Sequence, residues 1–195
     1  ERLRIASEMH DDVGSGLSRI RYIIGGIISG KTEQKTGIDK ANDIIDDSIQ
    51  KMKEIVWSLN ESNQTLEELI YYIRGQVSEM VENAEIEFES HLPDAIPTIF
   101  FGWARNRNTY LLVKETIHNA IKHANANKIT LEFEISNELS ITIFDNGKGF
   151  DTQQKHPGNG LNNYKKRISE LHGRYDMSSK IGKGTSVTFY IPFTF

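Results

Sequence analysis

Residues 114–124 read Lys114-Glu115-Thr116-Ile117-His118-Asn119-Ala120-Ile121-Lys122-His123-Ala124, within a helical pattern covering roughly Asn106–Ala124. Glu115, Asn119, Lys122 and His123 follow at steps of four, three and one, which sets them on one flank of a helix. Leu112, Ile117, Ala120 and Ile121 supply apolar surface elsewhere around it. An asparagine oxygen suits Mg²⁺, which takes oxygen ligands octahedrally together with waters and phosphates. Lys122 and His123 offer charge or donors to phosphate oxygens. Taken alone, the same pattern also describes a solvated face carrying two incidental histidines.

Glycine loops follow. Ile143-Phe144-Asp145-Asn146-Gly147-Lys148-Gly149-Phe150 comes directly after a strand-like run. Gly147 and Gly149 permit backbone angles that other residues resist and allow a ligand close to the main chain. Asp145, at the strand end, can accept a hydrogen bond from an exocyclic amine such as that of adenine; the segment also reads as an ordinary Asp-Asn-Gly turn. Gly158-Asn159-Gly160-Leu161-Asn162-Asn163-Tyr164 leads into a helix near Leu161–Leu171, whose free amides and dipole suit an anion. Gly182-Lys183-Gly184-Thr185-Ser186 precedes the final strand.

Outward from these loops, strand-like runs cover Ile86–Ser90, Lys128–Ile135, Leu139–Phe144, Tyr175–Ser178 and Thr185–Pro192, with Ser136-Asn137-Glu138 as a hairpin turn. Thr65 and Glu68 form a capping box for a helix with apolar positions Leu66, Leu69, Ile70, Ile73, Val77, Met80 and Val81. Helices mixed with antiparallel hairpins predict an α+β sandwich, not a βαβ Rossmann unit.

The first sixty residues read differently. Leu3, Ala6, Met9, Val13, Leu17, Ile20, Ile24 and Ile27 recur at spacings of three and four. A polar stretch from Ser29 to Gly37 interrupts them, and Ile38, Ala41, Ile45, Ile49 (or Ser48), Met52, Val56 and Leu59 resume the seam. A hairpin with one apolar stripe per helix buries it well only against a second copy, so a homodimeric four-helix bundle through residues 1–62 is expected. Residues 63–195 form the second domain.

The 195 residues are 37% hydrophobic and 26% charged, enough for packed cores. The net charge of -4 argues against direct nucleic-acid binding, and the absence of cysteine excludes disulfides, thiol nucleophiles and Cys-based zinc sites. No stretch approaches the roughly twenty apolar residues that span a bilayer. Residue 1 already lies in a helical pattern, so the chain is expected to be a piece of something longer.

The series E-x-x-x-N-x-x-K-H, D-x-G-x-G-F, G-x-G-L and G-x-G-T, in this order over about Thr65–Phe195, resembles the boxes of the GHKL ATPases. That resemblance implies a mixed sheet backed by helices, with ATP bound beside a short lid at Asp151–Pro157. It also implies that Asn119 holds Mg²⁺ and Asp145 binds the adenine amine. Lys122 and His123 would face the phosphates, and Gly147, Gly149, Gly158, Gly160, Leu161 and Thr185 would line the nucleotide. Glu115 stands where clamp-type members keep a water-activating base.

Which member this is turns on Ala6-Ser7-Glu8-Met9-His10-Asp11-Asp12-Val13. His10 sits at the rim of the seam between Met9 and Val13, and a neutral imidazole keeps a free lone pair at cellular pH. Asp11 can orient the ring or take its proton. The stretch resembles the phosphoacceptor box of sensor histidine kinases of the nitrate-sensor and membrane-fluidity-sensor subfamily. The resemblance implies autophosphorylation of His10 with ATP and Mg²⁺, then transfer to an Asp of a response regulator with a helix-turn-helix output domain. It implies the cytoplasmic portion of a membrane-anchored sensor, any membrane contact being made through sequence before Glu1. Ser15 replaces a Gln that often positions water for dephosphorylating the regulator, so phosphatase activity does not carry over. His172-Gly173 replaces a glycine pair, a change expected to affect packing only. The alternatives are a GHKL ATPase that drives clamp closure and a nucleotide-binding dimeric scaffold without kinase activity; an anti-sigma-type serine kinase would lack the hairpin.

Overall fold

Apolar residues at three- and four-residue spacings form two long antiparallel helices, α1 (Arg2–Ile28) and α2 (Gln34–Leu59). The computed structural model describes residues 2–59, 64–151 and 160–193, excluding the side chains of residues 2–12 and 160–163 and a few on α2. The chain divides into two units, Glu1–Glu61 and Ser62–Phe195.

Inside the hairpin the helices approach at glycines. A Cβ on buried Gly16 would lie 2.7 Å from Ser48 Oγ, and one on Gly37 would lie 2.6 Å from Ile27 Cδ1. Gly37 therefore lies inside α2, which begins at Gln34, and the break between helices is shorter than the sequence predicted. The apolar pattern also splits in two. Val13, Ile20, Ile23 and Ile27 of α1 and Ala41, Ile44 and Ser48 of α2 are half-buried. Leu17, Ile24, Ile38, Ile45, Ile49, Met52 and Val56 are exposed, Leu17 at 61%. The sequence reading drew one seam through members of both sets and passed over Ile23 and Ile44; each helix has a closed face and a second, open stripe.

The second unit begins with α3 (Leu66–Asn83), whose capping box is formed: Glu68 N–H donates to Thr65 Oγ1 at 3.3 Å, and Thr65 N–H donates to Glu68 Oε2 at 3.1 Å. Then come β1 (Glu87–His91), α4 (Trp103–Asn119), β2 (Lys128–Ile135), β3 (Glu138–Asp145), α5 (Gly160–Glu170), β4 (Arg174–Ser179) and β5 (Thr185–Pro192). The sheet order is β1-β2-β3-β5-β4, with β1 parallel to β2 and the other pairs antiparallel. Period-two alternation aims Ile129, Leu131, Phe133, Leu139, Ile141, Ile143, Val187, Phe189 and Ile191 into the core. Leu66, Leu69, Ile70, Ile73, Val77 and Val81 of α3 and Leu112, Val113 and Ile117 of α4 fill the helical side of that core. The expected α+β sandwich with a mixed sheet is the fold found.

Helix α4 starts three residues before the expected Asn106. Gly102, at φ +80, takes the N-cap without a side-chain cap. Arg105 is buried there by a tertiary contact: its guanidinium donates to Phe193 O at 3.1 Å and to Pro192 O, and sits over the Phe101 ring. The start of α4 is thus tied to the end of β5.

Candidate nucleotide site

Asn119 ends the α-helical part of α4, and Ala120–Ala124 continues it as a π-turn that closes on Asn125 in the left-handed region, φ 55. Glu115 and Asn119, on the α-helical part, are half-buried, and Lys122 and His123, within the slower-winding π-turn, are exposed. His118, beside this cluster, has its pKa lowered by partial desolvation first and then by Lys122, Lys114 and His123, with Glu115 opposing.

The π-turn delivers Ala124 to the glycine loop. Lys148 N–H donates to Ala124 O at 2.7 Å, and a Cβ on buried Gly147 would run into the Ala124 carbonyl and stand 2.7 Å from its Cβ. Asp145 closes β3 and is only 6% exposed. Its Oδ1 accepts Gly147 N–H at 2.9 Å, and Thr185, paired with it across β5, also donates to it. Burial raises the Asp145 pKa above the usual value, against the opposing hydrogen bonds from Gly147 and Thr185. A carboxylate has about four acceptor positions, so capacity remains for a ligand amine. Gly184, at φ +80, is required because a Cβ there would collide with the Asp145 carbonyl; Gly149, at φ +59, abuts the Lys180 carbonyl. Gly182 N–H donates to Lys148 O at 2.7 Å, so the two glycine turns are stitched backbone to backbone.

Three residues that the sequence did not mark as functional hold this arrangement. The Asn146 side chain accepts from Asn127 N–H at 3.1 Å and Lys128 N–H at 3.0 Å, anchoring the loop to the start of β2. Ser179 Oγ accepts Phe150 N–H at 2.9 Å and donates to Gly184 O at 3.1 Å. Tyr164 of α5 is 2% exposed, with its hydroxyl 2.8 Å from Thr116 Oγ1. Burial raises its pKa. An Asp-Asn-Gly turn and a Tyr on an amphipathic helix are too common to have marked these positions.

Asn119, Asp145, Gly147, Gly149 and Thr185 all lie around the ends of α4, β3 and β5. Gly160 opens α5. Gly158, most of the expected lid, and the side chains of Leu161, His10 and Asp11 lie outside the described residues; the backbone of His10 and Asp11 is helical within α1. Among the described residues no group of three or more His, Asp or Glu forms a metal cage. The Asn119 side chain at the end of α4 carries an oxygen of the kind that Mg²⁺ takes alongside phosphates and waters. No described helix is long and apolar enough to cross a membrane.

Residues 105–194 match the family described as histidine kinase-, DNA gyrase B- and HSP90-like ATPases, and residues 1–64 match a histidine kinase family, HisKA_3. The chain is 26% identical over 205 residues to the sensor histidine kinase LiaS of Bacillus subtilis, covering 98% of this chain and 54% of LiaS. It is 36% identical over 90 residues to DegS of the same organism, a signal transduction histidine-protein kinase/phosphatase, over 44% of this chain and 23% of DegS. The histidine kinase AdeS of Acinetobacter baumannii shares the fold, with TM-score 0.60 at 17% identity over 95% of this chain and 98% of that one. A histidine kinase family at residues 1–64, followed by the ATPase family that histidine kinases share with DNA gyrase B and HSP90, makes the chain a member of the HisKA_3-type sensor histidine kinases. It spans about half the length of LiaS.

Proposed function

We propose that this chain is the catalytic portion of a sensor histidine kinase that autophosphorylates His10 and passes the phosphoryl group to a response-regulator aspartate. The observation that carries the reading is the seam where Ala124, Gly147–Gly149 and Gly182–Gly184 meet backbone to backbone around buried Asp145. A Cβ at Gly147, Gly149 or Gly184 would collide with the neighbouring backbone, which keeps the surroundings of the Asp145 carboxylate free for a planar amine donor.

ATP is the phosphoryl donor and leaves as ADP when its β–γ P–O bond breaks; Mg²⁺, when bound, would supply the positive charge that screens its phosphates. Asp145 binds the adenine amine, and its burial strengthens that hydrogen bond. Asn119 gives an oxygen to Mg²⁺, while Lys122 and His123 lie toward the phosphates. Gly158, Gly160, Leu161 and Thr185 complete the lining, and Glu115 lies beside it. The His10 lone pair forms the N–P bond as the β–γ P–O bond breaks, with Asp11 orienting the ring or taking its proton.

The open apolar stripe of the hairpin supports a homodimer through residues 1–62, with residues 63–195 as the nucleotide-binding domain. Likeness to sensor histidine kinases supports a cytoplasmic position in a membrane-anchored protein and a regulator with a helix-turn-helix output domain. The test is incubation with γ-labelled ATP and Mg²⁺. Label that survives alkali and is lost in acid is the expected result; acid-stable label, or ATP hydrolysis without label, contradicts it.

A further inference from the structure

Asn146-Gly147 is one of two Asn-Gly pairs in the chain, the other being Asn159-Gly160. Asn-Gly loses its side-chain amide more readily than other pairs, because glycine has no Cβ to shield the nitrogen that attacks. Neither residue of this pair is free to change. A Cβ on Gly147 would run into the Ala124 carbonyl. The Asn146 side chain is bonded at both ends: Oδ1 accepts Asn127 N–H at 3.1 Å and Lys128 N–H at 3.0 Å, and Nδ2 donates to Asn127 Oδ1 at 2.6 Å. The Asn146 backbone N–H donates to Lys128 O at 3.2 Å, and Gly147 N–H donates to Asp145 Oδ1 at 2.9 Å.

Loss of the amide uses these same groups. Gly147 N gives up its proton and bonds to Asn146 Cγ, the Cγ–Nδ2 bond breaks, and the side-chain nitrogen leaves as ammonia. Water then opens the ring. Cleavage at the side-chain carbonyl yields aspartate; cleavage at the main-chain carbonyl yields isoaspartate, whose backbone runs through Cβ and Cγ and is one carbon longer. We propose that Asn146 is a latent isoaspartate site: the folded loop holds its amide unreactive, and conversion to isoaspartate disables the nucleotide pocket. Ring closure gives up the bond from Nδ2 to Asn127 and the bond from Gly147 N–H to Asp145, so it proceeds only when the loop opens. An extra backbone carbon between Asp145 and Gly147 has no room, because Gly147 already lies against Ala124. The reactivity stands on the loop alone; the loss of binding rests on the proposed function.

The full chain is aged at neutral pH, digested with trypsin and scored by mass spectrometry on peptide 129–148, with isoaspartyl methyltransferase labelling to tell isoaspartate from aspartate. Asn159 falls on a different peptide, 156–165, and is scored separately. The expected rate at Asn146 is at least about tenfold below that of a synthetic 141–150 peptide. Asn127→Ala removes the acceptor of Nδ2 at an exposed position, and the rate is expected to rise about fivefold, the effect of one hydrogen bond. Conversion of the folded wild type at the peptide's rate overturns the inference, as does an Asn127→Ala rate that stays at the wild-type level. Chain carrying isoaspartate at 146, separated by ion exchange and unconverted at Asn159, is then tested by calorimetry with a non-hydrolysable ATP analogue. It is expected to bind at least about tenfold more weakly than Asn146→Asp, which carries the same charge on a backbone of ordinary length. Equal affinities overturn the claim that conversion disables the pocket. If fresh wild type binds no nucleotide, the reading of the pocket falls, while the two rates still decide whether the loop holds Asn146.

Discussion

Asp145 carries two opposing demands, one from folding and one from ligand. Its carboxyl is buried at the end of β3, and burial raises its pKa above the unfolded value. The folded protein then holds this proton more tightly than the unfolded chain, so stability falls as pH rises from the unfolded pKa through the folded one. At neutral pH the cost of burying the ionised form is fully present. Asp145→Asn removes that cost, and its amide oxygen can still accept from Gly147 N–H. The variant is expected to melt at or above the wild-type temperature at pH 7, with the difference shrinking toward pH 4. Its nucleotide affinity should fall about 10- to 100-fold, the range for a hydrogen bond to a charged group. Calorimetry beside a pH series of melting curves checks both; a variant that melts lower at pH 7 contradicts the account of burial. Asp145 and its glycines were legible in the sequence because close backbone approach demands glycine at fixed spacing. Asn146, Ser179 and Tyr164 were not, since each acts through tertiary hydrogen bonds that leave no periodic mark.

Helix termini show which element-level features spacing can reveal. Helix α5 ends in a Schellman motif: Gly173 N–H donates to Ile168 O at 3.0 Å and His172 N–H to Ser169 O at 3.1 Å, with His172 at φ 51. The left-handed position is occupied by histidine instead of glycine, which costs about 1 kcal/mol. His172→Gly is expected to stabilise the protein by about 0.5–1 kcal/mol, read from denaturant midpoints. Gly173 itself is fixed, because a Cβ there would collide with the Tyr190 carbonyl. The His172-Gly173 pair was visible in the sequence, but only packing was expected to change there; the left-handed backbone that His172 adopts was not foreseen. The π-turn at Ala120–Ala124 was not visible, because a 3.6-residue period is assumed whenever a helical pattern is extended. The capping box at Thr65 was, because its two side chains are diagnostic by themselves.

At the scale of the whole molecule, the hairpin is the unfinished part. Its closed face is satisfied by Gly16 and Gly37, while Leu17, Ile24, Ile45 and Ile49 stay exposed. Burying each such side chain is worth roughly 1.5–3 kcal/mol, so a second hairpin covering the stripe gains several times that. Leu17→Glu with Ile45→Glu is expected to convert a dimer to a monomer by light scattering at micromolar concentration, while the affinity for nucleotide is retained. A wild-type chain that is monomeric under those conditions contradicts the bundle. Sequence alone registered the apolar period but merged two stripes into one, because residues three and four apart on a helix serve either face until the partner helix is known.

The central claim, that one histidine of the hairpin receives the phosphoryl group of ATP bound in the second unit, is tested most directly by labelling His10→Gln beside the wild type. The account predicts alkali-stable, acid-labile label on the wild type and none on the variant, with unchanged Mg²⁺-ATP affinity by calorimetry. Undiminished acid-labile label on His10→Gln would contradict it.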